Sequence, residues 1–268
     1  MKAEGTAMVT GAGRGIGRAV AVDLARAGFD VVATMREPAA GDGLADEVAG
    51  GAGSIRVARL DVVDPATVEI PEGLTVLVNN AATELEYLPL EHTPMDHWRQ
   101  VFETNVFGLV EVTRRAIPVM RQGGGGVICN ITSSSLVLGV PFYAVYRASK
   151  AAVQAIGETL ATEVAPFGIR VVEILPGPVE SDMLAQSDRP REAAAFPEYA
   201  ELARRSYEER HALTASTPAA EAAAAIRQAI LTDDGPLRWP CDELGGHLLA
   251  AWQRRPDDVI GALIDGAR

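Results

Sequence analysis

Lysine, cysteine and histidine are scarce in this chain of 268 residues, and each scarcity removes a class of function. Two cysteines, Cys129 and Cys241, cannot build a disulfide framework. Cys129 lies in an apolar, strand-like run, where a buried free thiol is expected. The four histidines, His92, His97, His211 and His247, show no metal-ligand spacing such as H-E-x-x-H, so no metal site is expected. No uncharged apolar run approaches the roughly eighteen residues that a membrane span requires. Residues 1–6 lead directly into a strand pattern, without the basic start and apolar stretch of a secretory signal, so a soluble, cytoplasmic protein is expected. Positive charge is also in deficit: 24 Lys and Arg face 36 Asp and Glu, a formal net charge of -12 that repels phosphate backbones. With no dense Lys/Arg cluster, neither nucleic acid nor a membrane is an expected partner.

Apolar strand-like runs do alternate with helical ones through the first two-thirds, a pattern that produces a doubly wound parallel α/β sheet with helices on both faces. The expected strands are residues 6–10, 30–35, 54–60, 74–79, 127–132 and 169–175. The length suits one core, so residues 1–268 are read as a single domain. After the first strand Ile16, Val20 and Leu24 mark one buried helix face, and Gly28 is a plausible stop. Residues 105–120 and 145–165 read as the two longest helices, each apolar over more than one stripe. That breadth points to a partner subunit as well as the sheet. Residues 64–73 are too short and too rich in proline for a long crossover helix. Residues 179–213 are helical and amphipathic, carrying Met183, Leu184, Phe196, Tyr199, Leu202 and Tyr207 among many charges. They read equally as a lid over a ligand crevice or as a peripheral helical pair. The alanine-rich stretch 219–230 is a strong helix former.

Between the first strand and first helix stands Thr10-Gly11-Ala12-Gly13-Arg14-Gly15-Ile16-Gly17. There a phosphate would meet unpaired helix N–H groups and the positive end of the helix dipole. Gly11 permits the sharp turn, Gly15 lets backbone approach a pyrophosphate, and Gly17 lets the helix pack closely. The pattern is not G-x-G-x-x-G, because Ile16 stands where the third glycine belongs, nor is it a P-loop, which needs a Lys-Ser/Thr pair. Further along, Tyr146 and Lys150 lie four apart at a helix start and therefore share a face. Of the two lysines, Lys2 and Lys150, one is thus kept beside a tyrosine in a chain that otherwise uses arginine. A compact ammonium can reach neighbouring hydroxyls and stabilise a phenolate where a planar guanidinium fits poorly. A phenol of ordinary pKa about 10 needs on the order of 4 kcal/mol of differential stabilisation to act at neutral pH. Thr132, Ser133, Ser134 and Ser135 form a polar run at a strand end, and by itself this reads as a turn. Asn105 by itself reads as a helix N-cap.

Written as T-G-x-x-x-G-I-G, the glycine segment resembles the cofactor loop of the short-chain dehydrogenase/reductase family. Further motifs follow in that family's order from about Thr6 to Met183. Asp61-Val62 resembles the strand end placed against adenine, Asn79-Asn80-Ala81-Ala82 resembles N-N-A-G, and Pro176-Gly177-Pro178-Val179 resembles the P-G segment. The resemblance implies a Rossmann-like fold and hydride transfer between a carbonyl and an alcohol, with NADP or NAD as cofactor. It assigns catalysis to Tyr146, Lys150, Ser133 and Asn105, with Ser133 bonding the substrate oxygen and Asn105 supporting a water that links Lys150 to solvent. It assigns cofactor binding to Gly11, Arg14, Gly15, Ile16, Gly17, Arg36, Asp61, Val62, Asn80, Tyr146, Lys150, Pro176, Gly177, Val179 and Ser181. Met35 stands where an acidic residue would bond a ribose 2′-hydroxyl, and Arg36 follows it, which favours NADP over NAD. A bulky, mainly apolar carbonyl substrate and a homodimer or homotetramer complete the expectation. Three departures accompany the resemblance: Ala82 replaces a glycine, Ser181 replaces a threonine, and a D-G-G ending is missing. Residues 236–255 instead resemble the hydroxysteroid and retinol dehydrogenase-like branches, which favours a dimer. An epimerase, dehydratase or enoyl reductase, or a non-catalytic dinucleotide sensor, would be the alternatives, and the filled catalytic positions disfavour both.

Overall fold

A computed structural model describes residues 1–187, 192–212 and 216–254. Seven parallel strands form one sheet in the order β3-β2-β1-β4-β5-β6-β7. They are β1 (Thr6–Thr10), β2 (Asp30–Met35), β3 (Ser54–Arg59), β4 (Leu74–Asn79), β5 (Gly126–Ile131), β6 (Ile169–Leu175) and β7 (Arg238–Pro240). The helices are α1 (Gly15–Ala27), α2 (Met95–Phe102), α3 (Leu109–Gln122), α4 (Ala144–Val164), α5 (Asp182–Ser187), α6 (Ala200–Ala212), α7 (Ala219–Leu231) and α8 (Glu243–Arg254). The six strands expected from the sequence form within a residue or two of their anticipated bounds.

The sheet is buried on both faces, which accounts for its nearly unbroken apolar strands. On one face Val20 and Leu24 of α1 and Ile226 of α7 pack on Val9, Val31, Val76 and Val172. On the other, Val112 and Met120 of α3 and Leu160 of α4 pack on Met8, Leu77, Ile128 and Val171. Gly28 ends α1 as expected, with φ of 123°, a backbone conformation that side chains disfavour. The connection from β3 to β4 is as short as expected, with only a 3-10 turn at Pro65–Thr67. Cys129 is buried, and burial pushes its thiol up to about 12.

Three elements differ from the sequence reading. The helix expected at 105–120 begins earlier, as α2, and passes into α3 through a π turn at Glu103–Gly108. Asn105 is therefore inside a helical rod and not an N-cap. Met95, Trp98, Val101 and Phe102 recur at helical spacing in α2, but eight residues make that stripe too short to stand out, and Val101 is its one buried member. Strand β7 is three residues long and contains Pro240, which an edge strand tolerates because its outer side has no partner. Helix α8 opens with Gly245 and Gly246 near its start, which lowers its helical propensity. No described helix is long and apolar enough to cross a membrane, and no described group of three His, Cys, Asp or Glu could hold a metal ion.

Among the described residues Glu173 of β6 is the one buried carboxylate, fully enclosed, with Arg238 Nε 3.2 Å from it. Gly157 of α4 makes room for it, since a Cβ there would collide with Glu173 Oε1. Burial, only partly opposed by Arg238, pushes Glu173 up to about 7 from an ordinary 4.5. The folded chain therefore holds this proton more tightly than the unfolded chain does. The associated stability is fully present below the unfolded value and is lost as pH rises through the folded one. Glu173→Gln keeps the shape without the charge. In thermal melts its Tm should match wild type at pH 5 and exceed it by several degrees at pH 8. A gap that does not widen with pH would show that Glu173 is ionised throughout.

Candidate active site

The strand order reverses between β1 and β4, and such a reversal leaves a crevice at the carboxyl ends of parallel strands. A cleft of about 1080 Å³ lies there. Its floor at the β1 end is the glycine turn. Gly11 and Gly15 have φ of 67° and 54°, in the left-handed region that suits glycine. A Cβ on Gly17 would collide with Asn80 Nδ2 and the Gly11 carbonyl, so this glycine serves packing and not the cleft surface. Helix α1 starts at Gly15 with neither a side-chain cap nor an acidic residue in its first turn. Its first N–H groups thus meet no competing carboxylate within the helix, and an anion fits there.

Asn80 braces this turn. Its Nδ2 donates to Thr10 O at 2.9 Å and to Gly11 O at 3.1 Å, while its backbone N–H donates to Thr10 Oγ1 at 3.0 Å. Arg14 reaches across the mouth to Asp182 at the start of α5, Nη1 to Oδ2 2.9 Å. Met35 is buried against Gly13 and Gly41, whereas Arg36 and Glu37 are exposed on the cleft rim. Asp61 and Val62 line the cleft beyond them, and Asp61 Oδ1 accepts the Val63 N–H at 3.1 Å. Pro176, Gly177, Val179 and Ser181 form the opposite wall. The Ser181 hydroxyl accepts the Leu184 N–H at 3.2 Å and donates to Val179 O at 3.2 Å, which ties the wall to α5.

Tyr146, Lys150 and Ser133 converge in the same cleft. The i, i+4 spacing on α4 puts Lys150 Nζ 5.7 Å from the centre of the Tyr146 ring. Ser133, just beyond β5, hydrogen-bonds the Tyr146 phenol, and its Oγ also accepts the Ser135 N–H at 3.1 Å. Lys150 is only 4% exposed and donates to Ile131 O at 2.8 Å. Burial draws its pKa down to about 8, partly opposed by the charge of Glu84. Burial and then Glu84 push Tyr146 upward, and the Ser133 bond works against them. The chain's own groups thus hold Tyr146 as a neutral phenol.

Asn105 does not line the cleft. From the π turn its Oδ1 accepts the Thr83 N–H at 2.8 Å, and its Nδ2 donates to Thr83 O at 2.9 Å and Ser149 Oγ at 3.0 Å. Ser149 in turn donates to Tyr146 O at 2.7 Å. Asn105 therefore ties the segment after β4 to the start of α4, and the π turn is what aims it there.

Sequence reasoning missed the group around Glu84. Glu84 hydrogen-bonds Tyr87, which stacks on Tyr143 with ring centroids 4.6 Å apart, and Tyr143 meets Tyr146 edge-on at 6.1 Å. No local motif marks Glu84, because it and Tyr87 lie in an irregular segment and the tyrosines they meet, Tyr143 and Tyr146, come from the start of α4 and the loop before it. Phe142 has φ of 69°, the one non-glycine residue in that region among those described. Its ring lies edge-on to Tyr199 of the 179–213 segment at 6.1 Å. That segment docks on the loop after β4. Tyr87 N donates to Glu192 Oε2 at 3.1 Å, Ala193 N donates to Tyr87 O at 3.2 Å, and Phe196 stacks on His92 at 3.9 Å. Met183, Leu184 and Arg210 face the cleft. Residues 188–191 and 213 of this segment, and Arg255 of the 236–255 stretch, lie outside the described residues.

Comparison with known proteins points to one family. Residues 5–192 match the family profile described as short chain dehydrogenase. The chain is 38% identical over 190 residues to the uncharacterized oxidoreductase YusZ of Bacillus subtilis, covering 68% of this chain and 67% of that protein. Its structure resembles a short-chain dehydrogenase from Streptomyces avermitilis, with a TM-score of 0.79, 31% identity and coverage of 97% of this chain and 94% of that one. A short chain dehydrogenase from Burkholderia cenocepacia in complex with NADP, 24% identical, shares the fold with a TM-score of 0.76 over 98% of this chain and 99% of that chain.

Proposed function

Because this chain belongs to the short-chain dehydrogenase family, we propose that it interconverts a carbonyl and an alcohol with NADP(H), Tyr146 being the general acid and base. One observation carries the reading: Tyr146, Lys150 and Ser133 meet in the same cleft as an uncapped helix N-terminus behind a left-handed glycine turn. In this reading the glycine loop holds the pyrophosphate, and Asp61, Val62, Asn80 and the 176–181 wall enclose the rest of the dinucleotide. The cofactor, when bound, supplies or accepts the hydride at the carbonyl carbon. Ser133 hydrogen-bonds the substrate oxygen, and in reduction Tyr146 gives that oxygen its proton. Lys150 then sits beside the resulting phenolate. A buried neutral phenol suits proton donation, whereas alcohol oxidation needs added positive charge nearby to make Tyr146 a base. Tyr146→Phe should lower kcat by at least about a thousandfold while leaving cofactor affinity within a few-fold. Lys150→Arg should also fail, since the longer planar group cannot occupy the buried ammonium site. Turnover by the phenylalanine variant near wild type would overturn the assignment.

NADP is favoured over NAD by the end of β2. Met35 offers no carboxylate to repel a 2′-phosphate, and Arg36 on the cleft rim can pair with that phosphate through two N–H groups. Arg14 is a second cation at the mouth, already shared with Asp182. Comparing kcat/KM for NADPH and NADH should show a preference for NADPH in wild type. Met35→Asp/Arg36→Ala should shift the ratio toward NADH by about tenfold or more. An unchanged ratio would show that these positions do not read the ribose.

The substrate is read as a bulky, largely apolar ketone or aldehyde, with residues 179–213 acting as a lid. Tyr143, Leu138, Val140, Met183, Leu184 and Leu248 all line the cleft. A panel of carbonyl compounds followed by cofactor absorbance should give its highest kcat/KM for hydrophobic ketones. Efficient turnover restricted to small hydroxy acids would contradict this reading.

A further inference from the structure

Building on that reading of the cleft, we infer that Asp242 is a positioning residue for the dinucleotide, clamping the turn at 176–178 that walls the cleft. Asp242 sits between β7 and α8, and its two carboxylate oxygens serve different elements. Oδ1 accepts the Gly245 N–H at 2.7 Å, the usual work of an aspartate capping a helix N-terminus. Oδ2 accepts the Gly177 N–H at 2.5 Å, from a residue 65 positions away in the chain. Capping requires only one oxygen, so the second bond is additional to it.

The fit is reciprocal. A Cβ on Gly177 would run into the Asp242 carboxylate, so only glycine lets the acid come this close. Gly245 is close-packed on the other side, where a Cβ would lie 2.9 Å from Leu175 O and 3.0 Å from Asp242 Oδ2. The turn is also held from the catalytic side, where Ser134 N donates to Pro176 O at 2.8 Å. Pro176, Gly177 and Pro178 are therefore fixed between the neighbour of Ser133 and the Asp242 carboxylate. Through the Oδ2 bond the N–H of Gly177 points at Asp242, which sets the orientation of the Pro176–Gly177 peptide. The same residue sets where α8 begins, and Leu244 and Leu248 of α8 line the cleft. One carboxylate thus registers the C-terminal helix and the cofactor-facing turn against each other. Bonds from backbone N–H groups to a charged acceptor are among the stronger ones available for this purpose.

The two roles separate by substitution. Asp242→Ser retains a good helix cap, but its single short hydroxyl cannot also reach Gly177. Asp242→Asn preserves size and leaves one acceptor oxygen for two donors. NADPH and NADH binding should be titrated by cofactor fluorescence in wild type and both variants, alongside thermal melts and the KM for a carbonyl substrate. Asp242→Ser should keep a Tm close to wild type, while the Kd for NADPH rises about tenfold and the carbonyl KM stays within a few-fold. Asp242→Asn should weaken NADPH binding in the same direction, and it decides the matter if the serine variant does not fold. Wild-type NADPH affinity in a folded variant of either kind would overturn the inference and leave Asp242 a helix cap alone. A wild type that binds neither NADPH nor NADH would instead overturn the function proposed above, and the role of Asp242 with it.

Discussion

The hydroxyl of Thr10 and the amide of Asn80 hold the ends of β1 and β4 together, and the geometry of the cleft depends on that junction. Thr10 Oγ1 accepts the N–H groups of Asn80 and Ala81 at 3.0 and 3.1 Å, while Asn80 Nδ2 returns bonds to the carbonyls of Thr10 and Gly11. Two parallel strands diverge after their last ladder bond, and their polar ends would otherwise be left without partners as the chain enters the cleft. Here the loose ends satisfy each other. The carbonyls of the glycine turn face Asn80, which leaves the first N–H groups of α1 to face the cleft. Gly17 is part of the same arrangement, because any side chain there would displace Asn80.

A second constraint operates at the other end of the cleft, where polar groups are buried deeply enough to be altered by burial. Lys150 is almost fully enclosed and retains its place by bonding the last carbonyl of β5. Asn105 makes three hydrogen bonds at once and so joins the π turn, the segment after β4 and the start of α4. These contacts are structural in kind, yet they decide where the phenol of Tyr146 sits relative to Ser133. The resulting environment favours neutral forms, lowering the lysine and raising the tyrosine. Charge brought beside these two buried groups by a ligand would act strongly on them, since their low-dielectric surroundings screen it little.

The sheet with its flanking helices was largely legible in advance. Runs such as Ala7–Val9 and Val76–Val78 are apolar without alternation because helices cover both faces, and that pattern is local. Helix α2, strand β7 and helix α8 were not legible for reasons equally physical. The first has an apolar stripe only eight residues long, the second is a three-residue edge strand ending in proline, and the third carries two glycines in its first turn. Their stability comes from tertiary contacts that leave little trace in local composition.

The sequence by itself determined those features of the site that depend on short spacing. Tyr146 and Lys150 share a face because a helix repeats every four residues or so, and Gly11 and Gly15 lie where the chain must turn with positive φ. The tertiary structure alone decided the rest. It brought Glu84 near Tyr146, set Asn105 against Ser149 at a separation of 44 residues, and placed Asp242 against Gly177 at a separation of 65. No periodicity links such pairs, because they meet only where the sheet reverses its strand order and where β7 returns α8 to the cleft. Backbone geometry fixes neighbours one turn apart, whereas neighbours across the fold are fixed by how whole elements pack.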